Sequence, residues 1–231
     1  MRSFFSCIGS SRKQSSKTTT STYLSKMAST TPFLDAITER RSIYKISKET
    51  TIPNERILEI VNHALKYAPS PFNVRSTRCV VVFGNEHDKL WQEAYKITEQ
   101  QTPQAMGILG PKIKDFISGY GTVLFFDDST AYNALPPRFQ ALSKQFPEWE
   151  EHSSGMHQFI VWTALANEGL GASLQHYQPS ITPYVKKTFE VPEFWNLKCQ
   201  LVFGKPTAGA GERKPMVGLE GALKVFGAVV E

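Results

Sequence analysis

Apolar positions recur at helical spacing after Thr51-Ile52-Pro53-Asn54. There Ile57, Leu58, Val61, Ala64 and Leu65 mark the buried face of a predicted helix. Pro69 and Pro71 end it, since a residue before proline is pushed out of the helical region. An earlier helix is predicted from Pro32-Phe33-Leu34-Asp35-Ala36-Ile37, entered through Thr31 and Pro32. Cys79-Val80-Val81-Val82-Phe83-Gly84 and Thr122-Val123-Leu124-Phe125-Phe126 are β-branched and aromatic runs that predict buried strands, the second ending at Asp127-Asp128. Between them, Glu86 to Ser118 predicts helices broken near Pro103 and at Gly110-Pro111. Met156 to Glu168 predicts a long apolar helix with Phe159, Ile160, Thr163 and Leu165 to Ala166 on its buried side, stopped by Gly169 at C′. Ala172-Ser173-Leu174-Gln175 and Leu197 to Phe203 predict two more strands. Leu135-Pro136-Pro137-Arg138-Phe139 and Phe146-Pro147-Glu148-Trp149 read as a lid or a partner-facing segment. No internal repeat is visible. Short strands interleaved irregularly with long helices predict an α+β domain.

Composition adds a boundary. The first 30 residues are rich in Ser and Thr, and no acidic residue precedes Asp35. Such a stretch cannot bury enough apolar surface to fold alone. Residues 1–30 are therefore expected to be a disordered basic extension, and residues 31–231 the folded domain. The extension also matches the Arg-rich, Ser-rich, acid-poor composition of a mitochondrial transit peptide. A cytoplasmic protein and a mitochondrial one both remain open, as does translation from Met27. The net charge of +5 comes from Arg2, Arg12, Lys13, Lys17 and Lys26. Without those five, 21 basic residues face 21 acidic ones, so the body is neutral and no nucleic-acid partner is expected. No apolar run approaches the ~20 residues of a membrane span.

Motif chemistry first excludes. Cys7, Cys79 and Cys199 stand alone, which suits a reducing compartment and not a disulfide scaffold. The five histidines show no metal-ligand spacing, and no metal is expected. Gly169-Leu170-Gly171 follows a helix and precedes a strand, the reverse of the dinucleotide-binding order. There is no Walker A motif and no G-x-S-x-G. Any phosphate bound here must be held largely by side-chain cations.

Three separated segments carry candidate cations and amides. They are Arg40-Arg41-Ser42-Ile43-Tyr44-Lys45, Ala68-Pro69-Ser70-Pro71-Phe72-Asn73-Val74-Arg75-Ser76, and Gly204-Lys205-Pro206 through Arg213-Lys214-Pro215. Taken singly, the first is a helix end with dipole-complementing cations, the second a helix-stopping turn and the third a charged loop. Their order and spacing together resemble the flavin-binding segments of the FMN-dependent nitroreductase family, most closely its fungal branch. The resemblance covers residues 33 to about 216.

The resemblance implies a mixed central sheet flanked by helices and an entwined homodimer with FMN at the interface. It implies that Arg40 and Ser42, with Arg41 beside them, contact the flavin phosphate and ribityl chain. Tyr44 stands where the family usually has Arg or Lys, and Lys45 is a candidate for the displaced charge. Pro69, Ser70 and Asn73 match the family's P-S-S-x-N segment along the isoalloxazine, and Arg75 would face N1/O2, where reduced flavin is negative. Leu174, Gln175 and His176 would lie by the N5 edge, and Arg213 would reach the phosphate. The tail from Val217 to Val230, with Leu219, Leu223, Val225 and Phe226, would pack across the partner or form a closing helix. The implied activity passes electrons from NADH or NADPH through FMN to a nitroaromatic or similar small-molecule acceptor, by a ping-pong mechanism and with oxidative-stress response as one setting. No catalytic acid or base is assigned. Two other classes stay open: a flavin-binding regulatory protein in lipid or stress signalling, and a helical interaction protein without cofactor.

Overall fold

A computed structural model describes residues 31–218 and 220–227. The expectations for residues 1–30, Leu219 and Val230 lie outside them. In chain order the elements are α1 (Phe33–Glu39), β1 (Ile46–Ser47), α2 (Asn54–Tyr67), β2 (Thr77–Phe83), α3 (Gly84–Gln101), α4 (Met106–Ile117), β3 (Gly121–Asp128), α5 (Phe146–Asn167), β4 (Gly171–Gln175), α6 (Thr182–Thr188) and β5 (Trp195–Pro206), with short 3-10 turns between. The fold is α+β, as the element pattern predicts.

All eight residues of β3 are buried. β3 lies between β2 and β5 with both pairings antiparallel, and β5 also carries β4 and, at its far end, β1. The parallel component is a bridge between Ser42 and Ala172. Because side chains alternate along a strand, β3 needs apolar cover on both faces. Leu124 and Phe126 meet Leu90, Trp91, Ala94, Ile113 and Phe116 of α3 and α4. Val123 and Phe125 meet Ile57, Val61, Ala64, Val161 and Leu165 of α2 and α5. A register shift between Phe125 and Phe126 leaves Lys198 unmatched on β5, so Leu197 and Cys199 serve opposite faces.

Four expectations need correction. On α2 the buried set includes Ile60, while Leu58 is 40% exposed, because the helix turns its stripe toward α5. Gly110-Pro111 does not break α4. The carbonyl that Pro111 leaves without its helical partner belongs to Gly107, and both residues are exposed, so no unpaired group is buried by the proline. α5 starts ten residues earlier than predicted: Phe146 is not part of a lid but is buried and stacked on Tyr132 at 4.2 Å. Phe159 is 36% exposed, and Val161 takes its place in the core. The helix does end where expected. Gly169 has φ +83, and the Gly169 and Leu170 N–H groups donate back to Ala166 and Leu165, a Schellman closure.

One buried polar network fixes the α3–β3 contact. Trp91 Nε1 donates to Thr122 Oγ1 at 2.9 Å, and Thr122 lies 2.9 Å from His87 Nδ1. His87 Nε2 lies 2.9 Å from the Phe116 carbonyl, which can only accept. This assigns the proton to Nε2 and leaves Nδ1 to accept the Thr122 hydroxyl. Burial pushes the His87 pKa down to about 4. The unfolded chain therefore binds a proton that the folded chain refuses as pH falls from the ordinary value near 6.5. The His87 contribution to stability is expected to be full above pH ~6.5 and to be lost progressively toward pH 4. Urea titrations of wild type and His87→Gln at pH 7 and pH 5 check this: the stability gap between the two proteins should shrink at the lower pH.

Candidate functional site

Arg40 caps the C-terminus of α1, its N–H donating to Ala36 at 3.0 Å. Its guanidinium lies over the Trp162 ring of α5, 4.3 Å from the centroid. The Nε atom is buried and has no hydrogen-bond partner. Arg41 reaches the Gly211 carbonyl at 2.9 Å, and Arg213 reaches the Thr38 carbonyl at 2.6 Å. These two bonds bring the loop after β5 back beside the end of α1. The freedom of Gly209 and Gly211, which have open space around them, suits that return. Burial, then Arg213, then Arg41 push the Arg40 pKa down. Among the described residues none of the three arginines pairs with a carboxylate. Three guanidiniums without a counter-charge are a site shaped for a polyanion.

Ser42 joins the same region through its backbone. It bridges Ala172, and the Ile43 N–H donates to the Ala172 carbonyl at 3.0 Å. A Cβ on Gly171 would stand 2.8 Å from Ile43, so the close approach of this segment to β4 requires glycine. Leu174, Gln175 and His176 follow at the end of β4, where Gln175 Nε2 donates to Ser173 Oγ at 3.0 Å. Tyr44 is half-exposed. Lys45 pairs with Asp115 at 2.7 Å.

The second segment forms a different region. Phe72, Asn73 and Arg75 have φ of 52, 56 and 52 degrees, three left-handed non-glycine residues within four positions. Backbone strain of this density is held by its surroundings. Ser70 Oγ accepts the Arg75 N–H at 2.9 Å, and Arg75 Nε donates to Asn73 Oδ1 at 3.1 Å. Pro69 precedes this turn at the end of α2, where Ala68 is the C-cap. Phe72 packs on Phe139 and Trp149, with centroids at 4.6 and 5.8 Å. Trp149 and Trp162 are separated by roughly 20 Å along α5 at 1.5 Å per residue. One chain therefore gathers Arg40, Arg41, Arg213 and, through Ser42, the start of β4 at Ala172, and holds Pro69, Ser70, Asn73 and Arg75 apart from them.

Behind the strained turn lies a buried polar group that sequence reasoning missed. Burial pushes the Asp127 pKa up to about 7, against the pull of Lys198 at 3.7 Å, with Glu150 and Glu151 adding to the rise. Ser76 Oγ and Tyr132 Oη are buried nearby without hydrogen-bond partners. Asp127-Asp128 at a strand end gave no sign of this, because the acids that face them come from α5. Trp162 was missed for the same reason: a Trp in an apolar helix reads as core.

The nitroreductase family model matches residues 37–205. The chain belongs to the nitroreductase family. The Saccharomyces cerevisiae nitroreductase FRM2 is 36% identical over 187 residues, covering 79% of this chain and 92% of that one. This bears out the resemblance to the fungal branch. Lactococcus lactis nitroreductase CinD in complex with chloramphenicol is 35% identical with a TM-score of 0.76, covering 84% of this chain and all of CinD. A CinD complex with 4-nitrophenol is also similar, at TM-score 0.73. A Desulfitobacterium hafniense nitroreductase with bound FMN shares the fold at TM-score 0.63 and 16% identity, covering 84% of this nitroreductase and 97% of its own chain. Among the described residues no helix is long and apolar enough to cross a membrane, and no group of His, Cys, Asp and Glu could hold a metal.

The arginine cluster makes a direct prediction about this nitroreductase. Inorganic phosphate should raise the melting midpoint of ligand-free protein above that in sodium chloride of equal ionic strength. At ten times its Kd the gain should be about 1.4 kcal/mol, or roughly 3–5 °C for a domain of this size. Arg40→Ala and Arg213→Ala should each lose most of it by differential scanning fluorimetry. Equal shifts in phosphate and chloride would mean that the arginines are independent surface charges.

Proposed function

We propose that this nitroreductase is an FMN-dependent oxidoreductase that takes electrons from NADH or NADPH and delivers them to nitroaromatic or related small-molecule acceptors in two alternating half-reactions. The observation that carries the reading is the orphaned, buried Nε of Arg40 inside a cluster of three arginines. A phosphate dianion supplies the missing acceptor and counter-charge, so the residues present fit the FMN phosphate. When bound, FMN supplies the two-electron chemistry between donor and acceptor.

The chain's own residues bind and orient. Arg40 and Arg213 would hold the phosphate, with Arg41 securing the loop that carries Arg213, and Ser42 and Tyr44 would follow the ribityl chain. Leu174, Gln175 and His176 would line the flavin edge from the end of β4. Pro69, Ser70, Asn73 and Arg75 belong to the same reading through a second copy. Their separation from the arginine cluster within one chain supports a homodimer in which each FMN is shared. Arg75 would then face the region of the flavin where negative charge develops on reduction. The exposed Val217, Leu223 and Phe226, at 81%, 80% and 88%, suit a tail that packs on a partner. The 4-nitrophenol and chloramphenicol complexes of CinD support a nitroaromatic acceptor.

Purification checks the reading. Full-chain protein should be yellow, release one FMN per subunit on denaturation, and scatter light as a dimer. It should oxidise NADH or NADPH when a nitroaromatic is supplied; bound FMN without turnover would favour a regulatory role. Arg213→Ala should weaken FMN by roughly 30- to 1,000-fold, the loss of a charge-assisted pair, and affect riboflavin far less. Equal losses for the two flavins, in titrations of apo-protein, would remove the phosphate role.

A further inference from the structure

Two arginines at the junction of the strained turn and β2 differ in electrostatic status. Arg75, in the turn, is exposed and pairs with no carboxylate among the described residues; its Nε donates to the neutral Asn73 amide oxygen. Arg78, on β2, is neutralised, since its Nη2 donates to Asp128 Oδ2 at 2.7 Å. Asp128 is 6% exposed, and its other oxygen accepts the Thr130 N–H at 3.0 Å and the Thr130 hydroxyl at 2.6 Å. Both carboxylate oxygens are thus engaged, which fixes the plane that the Arg78 guanidinium meets.

The other arm of Arg78 reaches the turn. Nη1 donates to the Arg75 carbonyl at 2.5 Å and to the Thr77 carbonyl at 3.1 Å, and the guanidinium lies 5.8 Å from the centroid of the Trp195 ring. The Asp128 N–H donates to the Ser76 carbonyl at 2.9 Å. One acidic residue at the end of β3 therefore ties down the exit of the turn twice, through its own backbone and through the Arg78 fork. Phe72, Asn73 and Arg75 all have positive φ, a conformation that non-glycine residues keep only when their surroundings impose it. Without the fork, the Arg75 carbonyl loses its side-chain donor and the turn has a route to relax.

We propose that Arg78, oriented by Asp128, is a positioning residue that holds the Arg75 guanidinium in place against the flavin and so raises the reduction potential of bound FMN. This deepens the oxidoreductase reading and rests on the role given there to Arg75. Because Asp128 neutralises Arg78, the clasp acts through geometry, while Arg75 acts through charge. A cation held at a fixed place beside developing negative charge stabilises it, and the same cation on a loosened turn is solvated and stabilises it less.

The test removes the clasp without changing net charge. Full-chain Arg78→Gln/Asp128→Asn loses one charge of each sign. Its bound FMN, titrated against redox dyes, should favour the reduced form about tenfold less than wild type, a fall of about 30 mV for two electrons. The same pair of substitutions made in Arg75→Met should change that preference by less than about twofold, because the group that the clasp positions is gone. In ligand-free protein, hydrogen exchange over Ser70 to Ser76 should speed up roughly tenfold when the clasp is removed. Arg78→Lys keeps the charge but lacks the planar fork that serves carbonyl and carboxylate together. It should lower the potential in the same direction, and it decides the matter if the double variant does not fold. An unchanged potential, an equal shift with and without Arg75, or unchanged exchange in the turn overturns the proposal. Full-chain protein that takes up no FMN would remove the oxidoreductase reading and this role with it. FMN-loaded protein whose potential ignores Arg78 would remove this inference alone.

Discussion

Burial of β3 on both faces is the constraint around which the domain is built. A strand with no solvent face needs hydrogen-bonded neighbours on both edges and helices above and below. β2 and β5 satisfy its edges, while α3 and α4 cover one face and α2 and α5 the other. The length of β5 follows from this, since it must pair with β3 and still reach β4 and β1. Close packing at that reach leaves no room at Gly204, where a Cβ would overlap the Ser47 carbonyl and stand 3.0 Å from Tyr120 N. The candidate arginines stand beside this frame: Ser42 bridges Ala172 at the start of β4, and the loop that carries Arg213 leaves the end of β5.

Against this rigid frame the arginine cluster is an electrostatic cost. Like charges repel, and Arg40 is also partly desolvated against Trp162. Natural folds rarely gather unpaired cations for stability, which is why the cluster supports the proposed phosphate site. The cation–π contact gives Arg40 a fixed orientation without giving it a carboxylate that would compete with a ligand. The loop hydrogen bonds to Gly211 and Thr38 work the same way, since backbone carbonyls orient a guanidinium without neutralising it.

The strained turn around Phe72 shows a second use of the frame. Its left-handed residues are held by Ser70, by Arg78, which donates to the Arg75 carbonyl, and by the aromatic contacts to Phe139 and Trp149. The buried Asp127 and its unpartnered neighbours lie beneath the adjoining strand. Strain, desolvated carboxylates and orphaned hydroxyls in one region are local inconsistencies, and such places are where folds keep their function.

Local pattern determined much of this protein. The strands at Thr122 to Phe126 and Leu197 to Phe203 were legible because strands covered on both faces are dense in apolar, β-branched and aromatic residues. The end of α5 was legible because a glycine directly after an apolar helix readily takes the left-handed φ that closes it. The order of the three basic segments was enough to suggest the family. Tertiary structure decided what periodicity cannot carry. It chose Ile60 over Leu58 and Val161 over Phe159, because which side of a wide apolar stripe is buried depends on the neighbouring helix. It let α4 run through Pro111, because Gly107 and Pro111 lie on the exposed side of the helix. It sent Lys45 to Asp115 and Arg40 to Trp162, and it separated Ser70 and Asn73 from the arginines. Those outcomes depend on distances between residues far apart in the chain, and a one-dimensional pattern holds no record of them.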